Sequence, residues 1–166
     1  MMIKKSVRLT RSEIVTIILT LIMVTAVSWF NLEKSRRLQR DLSRKTDLDR
    51  IIKAMGYYYQ VYNSYPASSD NYKISACGSE GKSECIANQK WEDGEVIYLD
   101  YLPVDPKTFI DSRWPDYGYR AEATGSSFWL WAYLENGEDS DIISAQEKCP
   151  GNWQKNQYVV CKTATQ

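Results

Sequence analysis

The residues in this chain that could do chemistry are few, and their spacing narrows the choice further. Of 166 residues, four are cysteines (Cys77, Cys85, Cys149 and Cys161) and none is a histidine. Without histidine, the commonest general base and the commonest metal ligand are both missing. No nucleophile stands beside a base in the sequence, and no glycine-rich loop could cradle a phosphate. An enzyme is therefore not expected, nor is a small-molecule substrate. The cysteines could in principle bind zinc, but zinc sites favour pairs about two to four residues apart, and these gaps are wider. Disulfides are the expected use, and four cysteines permit three pairings. The local one, Cys77 with Cys85 and Cys149 with Cys161, is preferred because each bond closes a short loop in an oxidising compartment.

Two other clusters could bind something. The turn from Leu134 to Ile142 gathers Glu135, Asn136, Glu138, Asp139 and Asp141 around Gly137. Hard cations such as Ca²⁺ take oxygen ligands from flexible loops of this composition. The spacing is not that of an EF-hand, and a solvated turn is the alternative. The expectation for cofactors is thus none, or calcium at this turn. Just upstream, Trp129, Trp131 and Tyr133 fall on one face of an alternating strand, with Phe128, Leu130, Ala132 and Leu134 on the other. One face must meet a core. The aromatic one is either covered by loops or offered to a partner.

The elements that position these residues begin with a hydrophobic segment. From Ile14 to Leu32 no residue is charged, and Trp29 and Phe30 close the run. At about 1.5 Å per residue, that length crosses a bilayer core of about 30 Å, and the aromatic pair suits the interface. Lys4, Lys5, Arg8 and Arg11 precede it. A cleaved signal peptide ending at Ala26-Val27-Ser28 is the rival reading. An uncleaved anchor is preferred because the helical pattern continues past Ser28. Leu38, Leu42, Leu48, Ile52, Met55, Tyr59 and Tyr62 recur mostly at three- and four-residue steps, which predicts an amphipathic helix with its charges on the other face. No proline interrupts from Glu13 to Tyr65, so one helix of about fifty residues, roughly 75 Å, could run on until Pro66 ends it.

The remainder is predicted as an α+β head. Residues 67–93, rich in Ser, Gly and Asn, read as an irregular loop. The stretch from Gly94 to Pro106 reads as a short helix followed by a rigid turn. From Tyr117 the period becomes two, and a Thr124-Gly125-Ser126 turn joins two strands into a hairpin. A final strand covers Gln157 to Lys162. Total charge is balanced, 21 Lys and Arg against 21 Asp and Glu, so nucleic acid is not an expected partner. Charge is instead local: Lys34, Arg36, Arg37, Arg40, Arg44 and Lys45 follow the span. Taken alone, the positive-inside rule would hold them in the cytoplasm.

In this order the parts resemble the type IV pilin-like superfamily, and most of all the pseudopilins of type II secretion systems. The likeness rests on the basic leader, on Glu13 at the head of the apolar helix, and on the helix ending in Tyr62-Asn-Ser-Tyr65-Pro66. It rests further on Tyr101-Leu102-Pro103 and Asp105-Pro106, on Tyr117-Gly-Tyr119, and on the closing hairpin. The resemblance implies a long N-terminal helix packed on a small antiparallel sheet. The boundaries would be a leader at 1–12, a transmembrane helix at 13–32, its amphipathic continuation at 33–66, and a head at 67–166. It implies a single-pass protein of the cell membrane with a cytoplasmic N-terminus and an extracytoplasmic head. Its partners would be the membrane and copies of itself or other pilin-like subunits, in a type IV pilus or in the filament of a protein-transport machine. The family leader is cut after a small residue, leaving a glutamate fifth; cutting after Arg8 would make Glu13 fifth here. The implied role of Glu13 is to neutralise the α-amino group of a neighbouring subunit. Several major pseudopilins bind calcium in the loop after the hairpin strand, which bears on residues 135–141. A membrane-anchored binding domain that does not polymerise, and uses the Trp129, Trp131 and Tyr133 face, is the alternative function.

Overall fold

The structure, a computed structural model, describes residues 10–94, 96–149 and 159–165. The expected cleavage site at Arg8 and the start of the last strand at Gln157 lie outside them. The chain divides into two compact units between Arg37 and Leu38, and one helix, α1 (Arg11–Tyr62), contributes to both.

In the first unit α1 begins with a capping box. The Thr10 hydroxyl and backbone N–H donate to the Glu13 carboxylate at 2.9 and 2.7 Å, and the Glu13 N–H returns a long bond to the Thr10 hydroxyl. Two of the donors that a helix N-terminus leaves unsatisfied are thereby used. Beyond it the side chains of Ile14 to Leu32 are exposed, Met23 and Phe30 by about three-quarters. The Thr16, Thr20 and Thr25 hydroxyls donate to carbonyls one turn back, so these three polar groups are satisfied within the helix. It is the one helix among the described residues long and apolar enough to cross a membrane.

In the second unit α1 supplies one wall of the core through Leu48, Ile51, Ala54 and Met55. The helix stops at Tyr62 because Asn63 turns left-handed (φ 52°) and Pro66 follows. Facing it is an antiparallel sheet of β6 (Gly118–Ala121), β7 (Ser127–Tyr133) and β8 (Val159–Thr165), ordered β6-β7-β8. The predicted hairpin is present, and its inward face is the predicted one: Phe128, Leu130, Ala132 and Leu134 are all buried. Trp131 lies across Gly118, where a Cβ would overlap the indole. Tyr117 and Tyr119 fasten the start of β6. Their hydroxyls donate to Asp47 on α1 (2.8 Å) and to the Pro66 carbonyl (2.7 Å).

Two expectations need correction, and one element was not expected. Residues 67–93 are not irregular: β1 (Ala67–Ser68), β2 (Ile74–Cys77) and β3 (Ser83–Glu84) form a small sheet, and β4 (Trp91–Glu92) follows. Strands of two to four residues are too short to show a period. The Cys77–Cys85 bond ties β2 to the residue after β3. The stretch 94–106 is not helical either. Ile97–Leu99 forms β5, paired with β4, and Tyr98 is buried against Trp91. Asp93-Gly94, with Gly94 at φ 98°, is a hairpin turn, and the β-branched pair Val96-Ile97 favours the strand. Finally, the acidic turn leads into a helix, α2 (Asp141–Lys148), which buries Ile142, Ala145 and Cys149 at three- and four-residue spacing. The Cys149–Cys161 bond ties the end of α2 to β8.

Replacing Gly118 by valine is expected to force Trp131 out of place and to cost about 1–3 kcal/mol, the usual penalty for overpacking. Urea unfolding of Gly118→Val would measure it, and an unchanged midpoint would show that the indole moves aside freely.

Candidate functional site

The largest departure from the expected pattern is a charge cluster inside the head. Arg44 is 0% exposed, Asp105 0% and Asp41 2%. The guanidinium grips Asp105 with two parallel bonds, Nε to Oδ2 at 2.7 Å and Nη2 to Oδ1 at 2.8 Å. Its Nη1 donates to Asp41 (2.5 Å) and to Glu135 (3.1 Å). Arg40 makes a second fork on Glu135, at 2.6 and 2.8 Å, and Lys107 Nζ stands 3.1 Å from the same carboxylate. The Asp41 carboxylate also accepts the backbone N–H groups of Glu135 and Asn136, both at 2.9 Å. The Trp114 ring lies under both cations, 5.0 Å from Arg44 Cζ and 3.7 Å from Lys107 Nζ.

Three cations thus meet three carboxylates drawn from α1, from the 105–116 segment and from the loop after β7. The local reason is geometric: Asp41 and Arg44 are three residues apart, on the face of α1 that continues into Leu48, Ile51 and Met55. The predicted apolar face was therefore shifted around the helix, since Leu38 and Leu42 are exposed at 45% and 65%. Burial disfavours the Arg44 charge, but the bonds from Asp105, Asp41 and Glu135 outweigh it and hold the group more firmly protonated than usual. Burial likewise works against ionised Glu135, yet Arg40, Lys107 and Arg44 pull its pKa from 4.5 down to about 2. Asp47 goes the other way, raised by burial.

The five oxygen-bearing residues expected at a cation site are divided between two sets of partners. Glu135 belongs to the arginine cluster. Asp139 and Asp141 close on the Lys45 ammonium, with Asp139 at 2.7 and 2.8 Å and Asp141 at 2.7 Å. The Asn136 side chain accepts the Glu138 N–H within the loop, and Glu138 itself is exposed. Among the described residues no group of three or more histidine, cysteine or acidic side chains is placed to hold a metal ion. The chain's own ammonium stands beside the carboxylates of Asp139 and Asp141.

Of the remaining candidates, Glu13 sits in the capping box at the start of α1, and the four cysteines are bonded in the local pairing. Trp129, Trp131 and Tyr133 are half-buried, and Tyr72 stands edge-on to Trp131 at 5.6 Å. Sequence reasoning missed Asp41, Arg44, Lys107 and Trp114 as site residues. Only Asp105 carried a signal, through its place in the Asp105-Pro106 turn.

Two outcomes follow from these pairings. The depressed Glu135 pKa contributes stability that is fully present above pH 4.5 and is lost as pH falls through about 2. Raised Asp47 offsets part of that loss, because its protonation favours the fold. The Tm is expected to fall from pH 4.5 downward, and less steeply in Glu135→Gln; equal slopes would remove Glu135 from the account. Because Lys45 supplies the cation, millimolar calcium is expected to leave the wild-type Tm unchanged, while Lys45→Met melts lower. A calcium-dependent rise in the wild type would show that metal displaces the ammonium.

No family model, no curated protein and no solved structure matches this chain, so its function must be argued from its own residues.

Proposed function

We propose that the chain is a pilin-like structural subunit, anchored through Ile14–Leu32 and carrying an extracytoplasmic head, which assembles through that helix into a type IV pilus or a type II secretion filament. The observation that carries this reading is the double use of α1. One uninterrupted helix exposes an uncharged, mostly apolar surface over Ile14–Leu32 and supplies core residues to the head over its second part. An anchor serving only as a tether needs no helical continuity with the domain it holds. Helix association within a membrane relies on packing and on satisfied polar groups rather than on a hydrophobic drive. The back-bonded threonines suit that setting.

Export is supported by the two disulfides, which persist in oxidising compartments. It is supported also by the fate of the basic run after the span. Arg40, Arg44 and Lys45, three of its six cations, face carboxylates of the head, so a structural demand accounts for them without reference to membrane topology. The anchored binding domain remains the second reading. The observation in its favour is a groove of about 460 Å³ lined by Tyr58, Ser68, Lys82, Glu122 and Thr124.

Glu13→Gln separates the two possible roles of Glu13, since glutamine keeps the capping box but removes the charge. The variant is expected to insert and fold normally and yet fail to enter assemblies recovered from the native membrane. Equal incorporation would reduce Glu13 to a helix cap. The intact mass of the recovered wild-type protein should correspond to loss of residues 1–8 with both disulfides formed; an uncut, strictly monomeric chain would favour the binding domain.

A further inference from the structure

Of the six cations that follow the apolar span, three turn to carboxylates of the head and three do not. The division falls at one place along α1. Arg40, Arg44 and Lys45 meet Glu135, Asp105 and Asp139. Lys34, Arg36 and Arg37 are exposed, and among the described residues neither Lys34 nor Arg36 meets a carboxylate. Arg37 Nε stands 3.3 Å from Glu33 one turn back, with the two side chains 55% and 44% exposed. A pair so open to solvent contributes little. Three cations against the one carboxylate of Glu33 leave residues 33–37 with a net charge of +2.

Depth supplies the partner. The helix is unbroken here, so position along it converts to height at about 1.5 Å per residue. With Ile14–Leu32 filling the hydrocarbon, Lys34 stands about 3 Å and Arg37 about 7.5 Å beyond the last apolar residue. The headgroup layer of one leaflet is about 5–7 Å thick, half the difference between a bilayer of about 40–45 Å and its core of about 30 Å. The three cations therefore fall at the level of the lipid phosphates. Trp29 and Phe30, exposed by 71% and 75%, lie about one turn lower, where aromatic side chains suit the edge of the core. Apolar, aromatic and basic residues thus succeed one another in the order of the bilayer's own layers. Arg40, the next cation along α1, is past the headgroup layer, and it takes a carboxylate of the head. Successive residues also turn by about 100° around the axis, so Lys34, Arg36 and Arg37 are spread round the helix instead of lining one face. A protein partner docks on a face, whereas lipids surround a span.

We infer that Lys34, Arg36 and Arg37 form a collar that binds the phosphates of anionic lipids, in the leaflet on the head's side of the span. The inference rests on the anchored reading of Ile14–Leu32 given above. Arg36 and Arg37 suit a phosphate because a planar guanidinium donates to two of its oxygens at once, and the Lys34 ammonium adds a point charge. All three have long stems that lie along the helix while the charged head reaches the phosphate. The net charge selects anionic over zwitterionic lipid, since the latter brings a cation of its own. Lipid phosphates do for these three residues what the carboxylates of the head do for Arg40, Arg44 and Lys45.

The test reconstitutes the full chain into phosphatidylcholine vesicles carrying a trace of spin-labelled phosphatidylglycerol or spin-labelled phosphatidylcholine. Electron spin resonance then reads the fraction of each label whose motion is restricted at the protein. The wild type is expected to favour the anionic label. That preference should fall about fivefold in the triple variant Lys34→Gln, Arg36→Gln, Arg37→Gln, the effect of the roughly 1 kcal/mol that one juxtamembrane cation contributes. Salt at about 1 M, where the screening length is about 3 Å, should abolish it. The Tm of the head should not move, because none of the three residues is buried. Lys4, Lys5, Arg8 and Arg11 before the span provide the control. A preference that survives the triple replacement and disappears when those four become glutamine belongs to the leader and overturns the inference. Alkaline carbonate extraction of the same vesicles separates the collar from the anchor. A chain retained after carbonate but showing no lipid preference defeats the collar alone; a chain released by carbonate does not span the bilayer and defeats the anchored reading with it.

Discussion

A guanidinium with no solvent exposure is the constraint around which the head is arranged. Removing Arg44 from water carries a desolvation cost of several kcal/mol, which is offset only when its donors are used in good geometry. They are: Asp105, Asp41 and Glu135 together accept from Nε and both terminal nitrogens. Each carboxylate comes from a different element, so the three charges align α1, the 105–116 segment and the loop after β7. Above this level the fold is ordinary apolar packing of Leu48, Ile51 and Met55 on Phe128 and Leu130. Apolar ridges alone tolerate a helix shifted by a turn. A bidentate arginine does not, because the shift would leave buried carboxylates unpaired.

Much of the outline was legible in the sequence, and the physical reasons are specific. The β6–β7 hairpin showed because Phe128 to Leu134 alternate strictly and Thr124-Gly125-Ser126 supplies a turn. The long helix showed because its period is sustained and no proline breaks it. What failed was the direction of its buried face. Leu38 and Leu42 look like core positions by type, and Asp41 and Arg44 look like surface; periodicity has no means of telling a paired buried charge from a solvated one. The β4–β5 hairpin was missed although Asp93-Gly94 announced it, because the prolines at 103 and 106 drew attention to a helix end. The helix α2 was hidden by the acidic residues before it, although Ile142, Ala145 and Cys149 had helical spacing throughout.

The same cluster alters how the acidic loop is understood. Composition alone suggested oxygen ligands for a hard cation. In three dimensions the positive charge arrives from α1 as Lys45, Arg40 and Arg44, and the loop is pinned to the helix by ion pairs. Half of the basic run, Arg40, Arg44 and Lys45, is thereby used within the head, while Lys34, Arg36 and Arg37 stay exposed.

Arg44 and Asp105 act as one unit in holding the head together. A double-mutant cycle with Arg44→Met and Asp105→Asn, followed by urea unfolding of the full chain in detergent, tests it most directly. A coupling energy of about 2–3 kcal/mol is expected, at the upper end for residues sharing one network. Costs that add to within about 0.5 kcal/mol, as they do for independent sites, would contradict it.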